Sequence, residues 1–204
     1  MTETDKTEAE RHRAKMAKRK AAQDAEVAGK TIKKGLLIVH TGNGKGKSTA
    51  AFGLALRMLG RGHRVGVVQF IKGAWHSAER DAFARFGDQL AWHTMGEGFT
   101  WETQDRERDI ATAARGWAKS RELMADVSFA LVILDELNIA LRYEYLDLDA
   151  VVATLAARRP GLHVVVTGRN AKPELIAAAD LVTEMTAVKH HYDAGVKAQA
   201  GIEF

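Results

Sequence analysis

The run Gly35-Leu36-Leu37-Ile38-Val39-His40-Thr41, followed at once by Gly42-Asn43-Gly44-Lys45-Gly46-Lys47-Ser48-Thr49, constrains this chain more than any other stretch. A short apolar run that ends in glycines predicts a buried strand passing into a tight loop. Residues 48–59, rich in Ala and Leu and stopped by Gly60-Arg61-Gly62, predict a helix directly after it. Strand, glycine loop and helix in that order suit a phosphate chain. The glycines let successive backbone N–H groups turn inward, the helix N-terminus adds positive potential, Lys47 supplies a charge and the Ser48 hydroxyl can ligate Mg²⁺. Thr41 stands where the general pattern G-x-x-x-x-G-K-[ST] has its first glycine, so the match is intact only at its end. Thr41, Gly42, Asn43, Gly44, Lys45, Gly46, Lys47, Ser48 and Thr49 are the candidate nucleotide contacts, although Lys45 reads equally well as a solvated side chain.

The rest of the chain alternates in the same way. Strands are expected at Val65–Phe70, Leu90–Thr94, Ala130–Asp135 and Leu162–Thr167. Helices are expected at 78–86, 103–125, 136–143 and 147–157, with another opened by Pro173. This pattern predicts an α/β fold, a largely parallel sheet with helices on both faces, in the manner of RecA-like P-loop NTPases. A P-loop site also needs an acid near its metal. Asp135-Glu136, at the end of an apolar strand, supplies two carboxylates facing the crevice where α/β sheets bind ligands. Glu136 is a candidate metal ligand or a hydrolytic base, and spacing alone does not choose.

Composition narrows the chemistry. The chain has no Cys, which removes disulfides, thiolate metal sites and cysteine nucleophiles together. No stretch reaches the roughly 18 apolar residues that a membrane span needs, and the N-terminus is charged, so a cytoplasmic protein is expected. The formal charge is +4, but residues 1–34 hold ten Lys/Arg against six acids, so residues 35–204 are neutral. Nucleic-acid binding by the body therefore loses support. The arm has good helix propensity but almost no apolar face before Val27 and by itself should be largely unfolded, either as a solvated tail or as a segment that orders over an anionic ligand.

Taken jointly, Thr41–Thr49, Val67–Gly73 (V-V-Q-F-I-K-G), Gly98–Thr103 (G-F-T-W-E-T), Leu134–Leu137 (L-D-E-L) and the tail from Val188 to Ile202 closely resemble the P-loop ATP:corrinoid adenosyltransferases, in order, from about residue 35 to 204. The resemblance implies transfer of the 5′-deoxyadenosyl group of ATP to the cobalt(I) of a corrinoid, with release of triphosphate, in adenosylcobalamin biosynthesis or salvage. It implies a triphosphate lying reversed relative to kinases, with Lys47 and Mg²⁺ stabilising the leaving group, Ser48 and Glu136 on the metal and Asp135 behind them. It also implies that Phe99 and Trp101 fill the lower axial space of the corrinoid. Arg57, Gln69, Lys72 and Arg169 would line the nucleotide or corrinoid crevice. A homodimer, an N-terminal helix closing over the site and a flavoprotein reductant follow from the same likeness. One rival is a P-loop kinase or RecA-like ATPase, motivated by Gly46-Lys47-Ser48 and Asp135-Glu136; the other is a nucleotide-dependent module that binds nucleic acid, motivated by the basic arm.

Overall fold

A computed structural model describes residues 7–71, 78–95 and 105–203. The chain divides into two compact units, Met1–Lys33 and Lys34–Phe204. Among its described residues the first contains one helix, α1 (Glu8–Ala28), with no buried residue. In place of the largely unfolded arm expected from its polar sequence, the local chemistry favours helix. Thr7 caps the N-terminus by accepting the Glu10 amide, and the Glu10 carboxylate accepts the Thr7 amide at 2.8 Å. Lys20–Asp24 and Glu26–Lys30 add ion pairs one turn apart.

Among the described residues the second unit is built on six strands: β1 (Leu37–Thr41), β2 (Arg64–Gln69), β3 (Leu90–Thr94), β4 (Phe129–Asp135), β5 (His163–Thr167) and β6 (Leu181–Glu184). They lie in the order β3-β2-β4-β5-β1-β6, and every pairing is parallel. Parallel neighbours require crossovers, and the helices supply them: α2 (Lys47–Leu59), α3 (Ala78–Phe83), α4 (Arg106–Ala125), α5 (Leu137–Arg142), α6 (Leu148–Ala156) and α7 (Pro173–Ala178). The alternation of side chains along each strand splits the core in two. Leu37, Val39, Val132, Leu134, Val164 and Val166 pack with buried residues of α4 to α7, while Ile38, Val65, Val67, Leu131, Ile133 and Val165 pack with α2 and α3. Helices thus cover both faces, and the near-continuous apolar strands follow from that double burial.

Two features depart from the sequence pattern. The strand β6 was not expected, because Leu181, Val182, Thr183 and Glu184 are all exposed at a sheet edge and carry no burial signature. In α4 the face turned inward is Thr112, Ala113, Gly116, Ser120, Leu123 and Met124, whereas the apolar Ile110 is 36% exposed. Small residues win at the contact: a Cβ on Gly116 would stand 3.1 Å from the Phe70 ring. Because all strands run one way, the loops after β1, β4 and β5 meet at the carboxyl end of the sheet, with β5 between the other two.

Candidate nucleotide site

The loop after β1 turns on two glycines with positive φ, Gly42 at 95° and Gly46 at 106°. Gly42 and Gly44 have a further reason to be glycine. A Cβ on Gly42 would lie 2.4 Å from the Met185 carbonyl oxygen, and one on Gly44 would lie 2.6 Å from that of Thr186. The segment after β6 is laid against the loop, with Met185 N–H donating to Thr41 O at 2.9 Å and Gly44 N–H donating to Met185 O at 2.6 Å. The Gly44 amide is therefore committed to the chain itself. Thr41, whose presence breaks the general pattern, is buried, and its hydroxyl accepts the Ala171 amide at 3.0 Å, tying the loop to the turn after β5.

Lys47 opens α2, is only 7% exposed, and donates through Nζ to Gly44 O. Burial pulls its ammonium below the ordinary lysine range; Glu136 opposes that shift, while Arg169 and Lys45 reinforce it. Lys47, Glu136, Arg169 and Lys45 thus share one electrostatic neighbourhood. Asn43, Lys45, Gly46 and Thr49 are exposed around it.

Beside the loop, Asp135 is fully buried at the end of β4. Its Oδ1 accepts from Ser48 Oγ at 2.7 Å and from Thr167 Oγ1 at 2.8 Å, and its Oδ2 accepts from Gln69 Nε2 at 3.0 Å. Glu136 follows in a left-handed conformation, φ 62°, and its Oε2 would be 3.1 Å from a Cβ placed on Gly168. That turn carries Glu136 out of the strand register and toward Lys47. Ser48, whose hydroxyl is held by Asp135, and Glu136 offer oxygen donors, which suit a hard cation such as Mg²⁺. Among the described residues no three His, Asp or Glu side chains gather as a self-sufficient metal cage.

Residues 33–204 match the family described as ATP:corrinoid adenosyltransferase BtuR/CobO/CobP, and residues 1–27 match the family Cob(I)alamin adenosyltransferase N terminal. The chain belongs to the ATP:corrinoid adenosyltransferase family. It is 55% identical over 195 residues to the corrinoid adenosyltransferase of Pseudomonas aeruginosa, with 96% of each chain covered. It is 45% identical over 195 residues to the corrinoid adenosyltransferase CobA of Salmonella typhimurium, covering 96% of this chain and 98% of that one.

Within this family member the remaining candidates separate. Gln69 is buried and bonded to Asp135 rather than lining an open crevice. Arg57 lies near the C-terminal end of α2 in a groove of about 500 Å³ with Leu36, Ile38, Leu131 and His163, beside the beginnings of the strands. The structure does not bring it to the loop. Lys72, Phe99 and Trp101 lie outside the described residues. What the sequence did not reveal is the return of the C-terminal tail. The Glu203 carboxylate pairs with Lys45 and lies 3.3 Å from His191 Nε2, so residues 185 and 203 both rest on the phosphate loop. Lys45 is an ion-paired side chain here rather than a merely solvated one.

Proposed function

We propose that this adenosyltransferase family member transfers the 5′-deoxyadenosyl group of ATP to the cobalt(I) of a corrinoid, releasing inorganic triphosphate. The observation that supports it most is Lys47: a family phosphate loop holds its ammonium buried at a helix N-terminus, with Arg169 close by, where charge on a triphosphate leaving group would grow. In the transfer, the cobalt(I) electron pair forms the bond to C5′, the C5′–O5′ bond breaks, and its electrons leave on the triphosphate. No proton has to move, so the site needs electrostatic stabilisation rather than a general base. Lys47, the loop amides not already spent on the chain, and Arg169 supply it.

We assign Mg²⁺ to Ser48 and Glu136, with Asp135 fixing the Ser48 hydroxyl; bound there, the cation would neutralise phosphate charge. Phe99 and Trp101 are assigned to the lower axial face of the corrinoid, on the strength of the Gly98–Thr103 motif. A homodimer, closure by residues 1–34, a flavoprotein electron donor and a cytoplasmic setting belong to the same proposal. Product analysis tests it. Anaerobic incubation with ATP and chemically reduced cobalamin should yield one triphosphate per cobalt–carbon bond formed. ADP or AMP released without corrinoid consumption would place the chain with the kinases or ATPases instead.

A further inference from the structure

On the α2 side of the sheet, the last row of residues is polar from one edge to the other. The strand register sets Thr94 beside Gln69, Gln69 beside Asp135, Thr167 beside His40, and His40 beside Thr183. Hydrogen bonds join part of this row into a chain. Trp92 Nε1 and Thr94 Oγ1 donate to Gln69 Oε1 at 3.0 and 3.1 Å, Gln69 Nε2 donates to Asp135 Oδ2, and Asp135 Oδ1 accepts from Ser48 and Thr167.

The direction of the chain is fixed at both ends. An indole N–H can only donate, so Trp92 turns the oxygen of the Gln69 amide toward β3 and leaves its nitrogen facing Asp135. Thr167 Oγ1 accepts the Glu136 amide at 3.0 Å, so its single proton is available for Asp135. Asp135 is left as the common acceptor, and Ser48 must spend its hydroxyl proton on it. The lone pairs of Ser48 are then free for a cation on the loop side. Were the Gln69 amide reversed, its oxygen would face the Asp135 carboxylate, acceptor against acceptor, in a site where Gln69 is 2% and Asp135 0% exposed.

We propose that Gln69 is a positioning residue for the metal end of the nucleotide and that Trp92 sets its polarity, so that the Trp92–Gln69–Asp135 chain orients Ser48 toward Mg²⁺. This rests on the reading that the loop binds Mg·ATP. It assigns a role to two residues on neighbouring strands, Gln69 buried against Asp135 and Trp92 donating to Gln69.

Calorimetric titration of the full chain with ATP, with Mg²⁺ and in EDTA, tests the proposal. The quantity read is the gain in ATP affinity that Mg²⁺ provides. Gln69→Leu should reduce that gain about tenfold, as expected for loss of one hydrogen bond to a charged group. Affinity in EDTA should stay within about twofold, because Lys47 and the loop amides are untouched. Trp92→Phe keeps an aromatic ring against Phe52 and Phe83, whose centroids lie 5.1 and 5.9 Å away, and should reduce the gain about threefold through loss of one of the two donors to Gln69. It carries the test if Gln69→Leu does not fold. In an Asp135→Asn background, Gln69→Leu should change the gain less than about twofold, since it acts only through Asp135. An unchanged gain in Trp92→Phe and Gln69→Leu, an equal loss in EDTA, or full additivity with Asp135→Asn would overturn the proposal. Wild-type protein that binds no ATP under either condition would overturn the nucleotide reading itself, a result distinguishable from the others.

Discussion

Lys47→Ala is expected to slow adenosyl transfer by about 10²–10³-fold, the range for removing one preorganised donor from a developing negative charge. The fold should survive. The Lys47 ammonium donates to Gly44 O and sits at the first position of α2, where a positive charge opposes the helix dipole. Alanine is the better helix former there. Thermal stability should therefore be unchanged or slightly raised while activity collapses. Lys45→Ala serves as the contrast, because Lys45 is about half exposed and pairs with Glu203 at the tail; its effect should be much smaller. The check is an anaerobic assay with reduced cobalamin beside a thermal melt of the same preparation. Turnover within a few-fold of wild type, or an activity loss that tracks unfolding, would remove Lys47 from its assigned role.

Gly44→Ala should damage both stability and nucleotide binding. Its Cβ would meet the Thr186 oxygen at 2.6 Å and the Met185 oxygen at 2.7 Å, both backbone atoms, which cannot swing aside as a flexible side chain can. Either the tail lifts from the loop, breaking the Gly44–Met185 hydrogen bond, or the loop distorts. Overpacking of this kind costs about 1–3 kcal/mol, a fall of several degrees in melting temperature for a chain of this size. ATP affinity should fall at least about tenfold, because a displacement of an ångström is enough to misplace the loop amides. Gly53→Ala is the matched control. It lies in the same helix that the loop feeds, with nothing within 4 Å of the added Cβ, and should be neutral or stabilising. If Gly44→Ala melts and binds ATP like wild type, the packing of the tail on the loop is not what requires glycine there.

These two residues also mark what the sequence could and could not convey. The strand, loop and helix around Lys47 were legible because their signals are local: an apolar run, glycines, then a helical period ended by glycine. Asp135-Glu136 was legible for the same reason. The second function of Gly44 was not, because it depends on Met185 and Thr186, more than a hundred residues away and held in place by an edge strand with no buried side chain. Thr41 read as a defect in the pattern and is instead a buried anchor for the Ala171 amide. Gln69 read as a crevice residue and is instead a buried partner of Asp135, since only the pairing of β2 with β3 and β4 places it between Trp92 and that carboxylate. In each case the missing information was register, which a single sequence encodes only through contacts between distant segments.

The central claim is that triphosphate departs from C5′ as one unit, so no bond between phosphates breaks. Turnover with the β,γ-methylene analogue of ATP and chemically reduced cobalamin tests this most directly. The analogue should support formation of the cobalt–carbon bond at a rate within about tenfold of ATP, a difference of roughly 1.4 kcal/mol in barrier. Analogue that binds the loop but yields no adenosylated corrinoid, together with ADP release from ATP, would contradict the account.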